Sequence, residues 1–349
     1  MVISWRADRL AASVCLLALA ACGGGGGGGQ PSTTTSTPTQ TGNTGTTTPA
    51  QITIGTPDAP KVAGNEQSYN FSTNLPPVGN LFAITGPAVK ITSTSVSASG
   101  IDTTKSLATY RGTVTSNGVT YPVFDLSVPN ISLTATNVRG DGTPSTTSDG
   151  GKVAAGIGTL NYTLLGVWSY SPASGGTGYI GVTVDGFGTK PASVPTTGTA
   201  TYNGTQGVNA SGVIGAYFVP SGSGSIAAGT LTGNVSLTTN FANNNVNGTL
   251  SNMMATPSAG GAATPWNTVS LSGTINRTDP NAVGFAGATS TSGAPPGAGA
   301  AGFSNTASGS FAGLFYGPNA EEVGATWTLT EPNAAGGGKT AFGALAGAK

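Results

Sequence analysis

The sequence predicts an all-β chain: a β-rich N-terminal domain followed by a small closed antiparallel barrel. Three observations carry that prediction. From residue 51 onward apolar and polar residues alternate with period two, and Gly, Pro, Asn and Asp clusters interrupt the runs at short intervals. No window of 11–18 residues sustains a 3.6-residue period. In the second half, strands with one aliphatic face interleave glycines with those aliphatics, opposite a face of Thr, Ser and Asn. Such glycines mark close backbone approaches or corners where a sheet must bend, as a small barrel requires.

The chain opens with Arg6 and Arg9 before an apolar run from Leu10 to Ala20. That run is about half the ~20 residues a spanning helix needs, so it reads as a secretory signal over residues 1–21. Leu19-Ala20-Ala21-Cys22 resembles the lipobox of bacterial lipoproteins, which makes Cys22 the acylated first residue of the mature chain. The plainer reading is an ordinary signal peptide with a Cys near its end. The next residues favour an anchor: Gly23–Gly29 is an unbroken glycine run, and Thr, Ser, Pro and Gly continue to Ala50. Residues 22–50 cannot bury enough apolar surface to order themselves, and as a tether they would span roughly 30 Å. The sequence has two cysteines, Cys15 and Cys22. With Cys15 inside the signal and Cys22 committed to lipid, no internal disulfide is expected.

Residues 51–150 are expected to form the first β domain, with Leu107–Thr115 and Val119–Ser127 as a hairpin about Ser116-Asn117-Gly118. The polar, Gly-rich stretch from Asp141 to Gly151 is the expected boundary, so the barrel is placed at 151–349. In Leu160–Tyr170 one face collects Leu160, Tyr162, Leu164, Trp168 and Tyr170. Leu231, Val235, Leu237 and Phe241 share another. A turn at Ala242–Asn245 leads to Val246, Gly248 and Leu250, and Val269, Leu271 and Ile275 repeat the design before a turn at Thr278–Asn281. Ala286–Phe303, rich in Gly, Ala and Pro, is expected to be a mobile loop and a candidate contact surface.

The most informative stretch is Ser310–Gly324. Phe311, Gly313 and Phe315 fall on one strand face, with Ala312, Leu314 and Tyr316 on the other. Gly317-Pro318-Asn319 stops the strand, since Pro donates no ladder bond and Gly and Asn accept turn angles. Asn319 and Glu322 stand at capping-box spacing. Alternation then resumes, with Val323, Ala325, Trp327 and Leu329 on one face.

This stretch resembles the closing strands of the β-barrel domain of transferrin-binding protein B and its relatives, lipid-anchored surface proteins of Gram-negative bacteria. Phe187-Gly188-Thr189 and Pro195–Gly204 are similar to the entry into that barrel. Leu231–Phe241 with Val246–Leu250 resembles its central hairpin, and Phe342-Gly343 its final strand. The similarity covers roughly residues 155–349. It implies an eight-stranded barrel, a preceding handle domain over 51–150, and a structural turn at Tyr316, Gly317, Pro318, Asn319, Glu322 and Gly324. With room for one handle and one barrel, the chain is similar to single-lobe relatives. The resemblance implies capture of an iron- or haem-carrying protein as a receptor or co-receptor, alongside an outer-membrane transporter. A structural, adhesive or immune-regulator-binding lipoprotein is the alternative.

Composition argues against other classes. Only 7% of residues are charged and the formal net charge is zero, so no basic patch is available to neutralise phosphates and nucleic acid is not an expected partner. The chain has no His, which removes Ser-His-Asp and Cys-His catalysis and His-ligated zinc. A paired-carboxylate hydrolase remains formally open, but Glu321-Glu322 reads better as turn capping. The chain is therefore not expected to be an enzyme, and no catalytic residue or metal site is expected. No cofactor is expected either. Haem as a ligand would need Tyr or Met: Tyr110, Tyr121, Tyr162, Tyr170, Tyr179, Tyr202, Tyr217, Tyr316 or the Met253-Met254 pair. Each reads first as a packing residue. An integral outer-membrane barrel shares the same periodicity, but paired aromatic girdles are hard to find and the lipobox already supplies an anchor.

Overall fold

The computed structural model describes residues 82–349 apart from 85–87, 92–95, 100–105, 117–118, 129–132, 174–177, 187, 207–210, 222–224, 259, 279–282, 296 and 332–337. Cys22, the signal and tether, and the turn residues Asn117, Gly118 and Asp279 to Asn281 lie outside the described residues. The described chain is strand almost throughout, with two three-residue 3-10 turns.

The first half builds two sheets. One has four strands in the order β1 (Phe82–Ile84), β4 (Ser106–Ser116), β5 (Val119–Val128) and β6 (Leu133–Arg139). The expected hairpin is there: β4 and β5 pair antiparallel from Leu107↔Ser127 to Ser116↔Val119. The other sheet runs β3 (Val96–Ser99), β2 (Ala88–Ile91), β10 (Gly178–Gly186), β9 (Thr163–Ser171), β8 (Lys152–Thr159) and β7 (Ser145–Thr146).

This pairing departs from the boundary expected at residues 150 and 151. Strands β8, β9 and β10 belong with β2 and β3, not with the barrel. The Gly-rich stretch around Asp141 to Gly151 is no linker, because its aspartates organise it. Asp141 accepts from the Thr143 amide and pairs with Arg139, while Asp149 accepts from Thr147, the Gly151 amide and the Tyr170 hydroxyl. Short polar side chains bonding to nearby backbone give such turns their order. We place the division between the two bodies in residues 188–198.

The barrel is a closed antiparallel meander of eight strands. They are β12 (Gly212–Ser221), β13 (Ser225–Asn240), β14 (Asn245–Pro257), β16 (Val269–Asn276), β17 (Gly284–Thr291), β18 (Ser308–Tyr316), β19 (Glu322–Glu331) and β20 (Lys339–Ala348). Each pairs with the next, and β20 returns to β12 with Val213↔Leu345 and Phe218↔Thr340. Closure leaves no free edge along those strands. β11 (Thr199–Gly204) extends β12 end to end along β13, and the two-residue β15 (Thr264–Pro265) pairs the far end of β14. The β13–β14 register shifts between Thr232 and Asn234 at a bulge, with Asn252 at φ 50°.

The barrel is filled, as eight strands allow. Leu231, Val235, Leu237, Phe241, Val246, Leu250, Val269, Leu271, Ile275, Phe311, Phe315, Val323, Ala325, Trp327 and Leu329 form one buried cluster, so the inward faces read from these barrel strands point as expected. Ala286–Phe303 differs from expectation. Its first third belongs to β17, paired on both sides, and the rest of the segment is tied down by Asn267 and Trp266.

β9 departs too. Both of its faces are buried, Leu165 and Val167 as well as Leu164, Trp168 and Tyr170, because its sheet has packing partners on both sides. The second cluster joins these residues to Ile214, Ala216 and Phe218 of β12 and Phe342, Ala344 and Ala346 of β20. The six-stranded sheet therefore seats on the outer wall of the barrel.

Candidate functional site

Tyr316 closes β18, and the turn at Gly317–Glu321 hands the chain to β19, where Glu322 pairs with Tyr316. Gly317 adopts φ +85°, which an L side chain resists, and a Cβ there would meet Glu321 Oε2 at 2.4 Å and the Tyr162 ring at 2.8 Å. Ala320 also has positive φ, at 57°. The turn thus folds Glu321 back on itself. Glu321 accepts from the Asn319 main-chain N–H at 2.8 Å and from Asn319 Nδ2 at 3.0 Å.

This corrects the expected capping role of Glu322. Glu321 does the local bonding, the turn is not helical, and Glu322 reaches elsewhere. Its carboxylate is 1% exposed and accepts from the main-chain N–H groups of Asn161 and Tyr162, each at 2.9 Å, in the turn between β8 and β9. Burial pushes its pKa up, against the opposing pull of those hydrogen bonds.

The neighbouring motif residues serve the same junction. Gly324 leaves room for Val184 of β10 and Thr163 of β9, whose methyl carbons would lie 2.3 Å and 2.9 Å from an added Cβ. Thr189 donates its amide to Phe315 O at 2.9 Å and its hydroxyl to Gly317 O at 2.7 Å. On the barrel side the Tyr202 hydroxyl donates to Ala320 O at 2.8 Å. Tyr316, Gly317, Glu322 and Gly324 therefore come together as the clamp between the two bodies. Pro318 is partly exposed and Asn319 exposed on the outer side of the turn. The partners Asn161, Tyr162, Thr163, Val184 and Thr189 lie well over a hundred residues away, so sequence reading does not connect them to this turn.

The buried candidates for haem ligation are packing residues. Tyr162, Tyr170 and Tyr316 belong to the cluster between the bodies. Tyr202, Tyr217 and Met253 belong to the barrel interior, with Met253 packed where Gly233 lacks a side chain. These six are split between two separate cores and packed among apolar side chains in each.

At the opposite end of the barrel two loops are zipped over the core. Asn267 is fully buried, with its Nδ2 donating to Phe303 O and its Oδ1 accepting from the Phe303 N–H, both at 2.8 Å. Trp266 Nε1 donates to Ala301 O at 2.7 Å, and its ring meets Phe303 edge-on at 5.3 Å. Lys339 covers the Phe303 ring at 5.8 Å. Around this cap Gly261, Ala262, Ala263, Pro265 and Ala294 are exposed. Any contact made here is made by a preformed surface.

Residues 194–349 match the family described as C-lobe and N-lobe beta barrels of Tf-binding protein B. The match starts where the barrel does, later than the 155 expected from the sequence. No curated protein matches the chain. Among solved structures the chain is similar to intact Ap-TbpB with its N and C lobes, at 18% identity and a TM-score of 0.36, covering 76% of this chain and 46% of that one. It is similar to a transferrin binding protein B variant from Haemophilus parasuis Hp5, at 18% identity and a TM-score of 0.39, over 76% and 45%. It is also similar to the isotype 1 protein from serogroup B Neisseria meningitidis, at 15% identity and a TM-score of 0.34, over 76% and 44%. The chain spans less than half the length of these structures. Residues 194–349 form a β-barrel domain of the transferrin-binding protein B type.

Proposed function

We propose that the protein is a surface lipoprotein, anchored to the outer membrane through acylated Cys22 and held off it by residues 23–50. In this reading it binds an iron- or haem-carrying protein, or a related protein ligand, as a receptor or co-receptor for nutrient uptake beside an outer-membrane transporter. The observation that carries the reading is the Tf-binding protein B barrel at 194–349 with a filled interior. A barrel packed with Trp327, Phe311 and Phe315 offers a ligand its rims and loops, not a lumen, which suits a macromolecular partner.

The outer wall also supports a non-integral barrel. Asn247, Thr249, Ser270, Ser272, Thr274 and Ser290 face outward and exposed from β14, β16 and β17. Hydroxyls and amides in those places suit water, whereas a membrane barrel turns its apolar band outward. A scaffold or adhesive role is the second reading, favoured by the rigid clamp at Glu322 and the zipped loops at Asn267.

The test is protease shaving of intact Gram-negative cells expressing the full chain, with lysed cells as control. Digestion on intact cells supports a surface receptor and is followed by capture of transferrin, haemoglobin and haem-loaded albumin. Protection until lysis, or retention of a Cys22→Ser form in the membrane fraction, overturns the surface or the anchor.

A further inference from the structure

The body is stacked in layers, and the chain joins it at one end of the stack. The described residues begin with β1 at Phe82, on the edge of the four-stranded sheet, where Phe82 pairs with Ala108 of β4. In the same sheet Ala135 and Val138 of β6 belong to the buried cluster that holds β8, β9 and β10, whereas Thr134 and Thr136 are exposed. β9 is buried on both faces, so the six-stranded sheet lies between the four-stranded sheet and the barrel wall of β12 and β20. Around the barrel, β16 stands three strands from β12 and β17 three strands from β20, which places them opposite that wall. The layers therefore run from the four-stranded sheet through the six-stranded sheet and the docking wall to the β16–β17 wall.

We propose that the outer face of the four-stranded sheet, marked by Thr134 and Thr136, faces the lipid surface, and that the β16–β17 wall faces the medium. The proposal rests on the reading of Cys22 as the anchor. All the chain between Cys22 and the body joins it at Phe82, in the layer farthest from the β16–β17 wall, so a lipid fixed to Cys22 draws that layer towards the bilayer. The chemistry of the face suits headgroups. Thr134, Thr136 and Asn137 are exposed and offer hydroxyls and an amide, which stay hydrogen-bonded in a hydrated headgroup layer and would lose those partners among acyl chains. The face therefore rests beside the membrane without inserting. Ser270, Ser272, Thr274 and Ser290 then look into the medium, and the two ends of the barrel look sideways along the membrane.

The test is energy transfer from a dye on the protein to an acceptor dye on the lipid headgroups of phosphatidylcholine vesicles. Full chains carrying Thr136→Cys or Ser272→Cys are made in Gram-negative cells, labelled at the new thiol and reconstituted. With packed sheets about 10 Å apart, Ser272 stands roughly 30 Å beyond Thr136 along the stack. Transfer from position 136 should exceed that from position 272 at least about twofold, and adding Cys22→Ser should remove both signals together with vesicle binding. Equal transfer from the two positions, or more from 272, with the protein still on the vesicles overturns the orientation and leaves the anchor standing. Vesicle binding that persists in the Cys22→Ser forms, or fails in the parent forms, overturns the anchor and the orientation with it.

Discussion

The two sides of the barrel wall differ in a way that identifies what each touches. On β12 and β20 every described side chain from Gly212 to Val219 and from Ala341 to Gly347 is buried. Val213, Tyr217, Ala341 and Leu345 point inward, while Ile214, Phe218, Phe342 and Ala344 point out against the six-stranded sheet. On β16 buried and exposed residues alternate: Val269, Leu271 and Ile275 point in, and Ser270, Ser272, Thr274 and Asn276 point out. Both sides share one inward face. The outward face is apolar where another sheet covers it and polar where water does. Docking of the N-terminal sheets is therefore encoded in which barrel strands lose their alternation.

The comparison is broken most strongly by Phe342→Asp. Phe342 is 1% exposed and stacks with Phe218 at 6.1 Å across the outer wall. Losing that ring and burying an unpaired carboxylate should cost about 4 kcal/mol or more. Urea unfolding should show a large fall in midpoint, or a protein that no longer folds. Gly324→Val probes the same seat more locally. Its side chain would collide with Val184 and Thr163, for an expected cost of about 1–3 kcal/mol. A Gly324→Val protein as stable as wild type would mean that the sheet does not sit on β19.

Glu322→Gln is a smaller change with a pH signature. Glutamine keeps one acceptor oxygen where the carboxylate offers two, so one of the two bonded amides loses its partner, at about 1–3 kcal/mol. The folded pKa of Glu322 lies above its ordinary value because burial disfavours the charge. Its contribution to stability is thus greatest below the unfolded value and is lost as pH rises through the folded one. Acidifying from neutral pH towards about pH 4.5 should therefore stabilise the wild type relative to Glu322→Gln. Parallel melting-temperature profiles for the two proteins over that window would contradict the assignment.

Much of this architecture is legible in the sequence, and for physical reasons. The inward faces of β13, β14, β16, β18 and β19 follow from period two, because the opposite face of those strands is largely polar or small. β9 defeats the same rule for the complementary reason: Thr163–Ser171 is buried on both faces, so alternation assigns no side. The turn at Gly317 is readable from Pro and Gly chemistry, but the destination of Glu322 is not. Asn161 and Tyr162 stand some 160 residues away, and only the folded sheet brings them to its carboxylate. The segment near Asp141 looks like a boundary and is none, because Asx-type bonding orders a Gly-rich stretch without leaving a compositional trace. Loop order at Phe303 likewise rests on bonds made at a distance in sequence, from Asn267 to Phe303 and from Trp266 to Ala301.

The smallest expected effect sharpens the comparison from its wet side. Ser272 faces outward from β16 between Asn247 of β14 and Ala288 of β17, and all three are exposed. Ser272→Asp places a charge there without burying it, so stability should change by no more than about 0.5 kcal/mol. Thermal melting against wild type at matched salt measures this directly. The same carboxylate at Phe342 should be many times more costly, although both positions point away from the barrel interior. If Ser272→Asp instead lowers stability as much as Gly324→Val, the polar wall is itself packed against something. Polarity would then cease to mark the water-facing side, and the reading of the apolar β12 and β20 wall as a docking seat would lose its contrast.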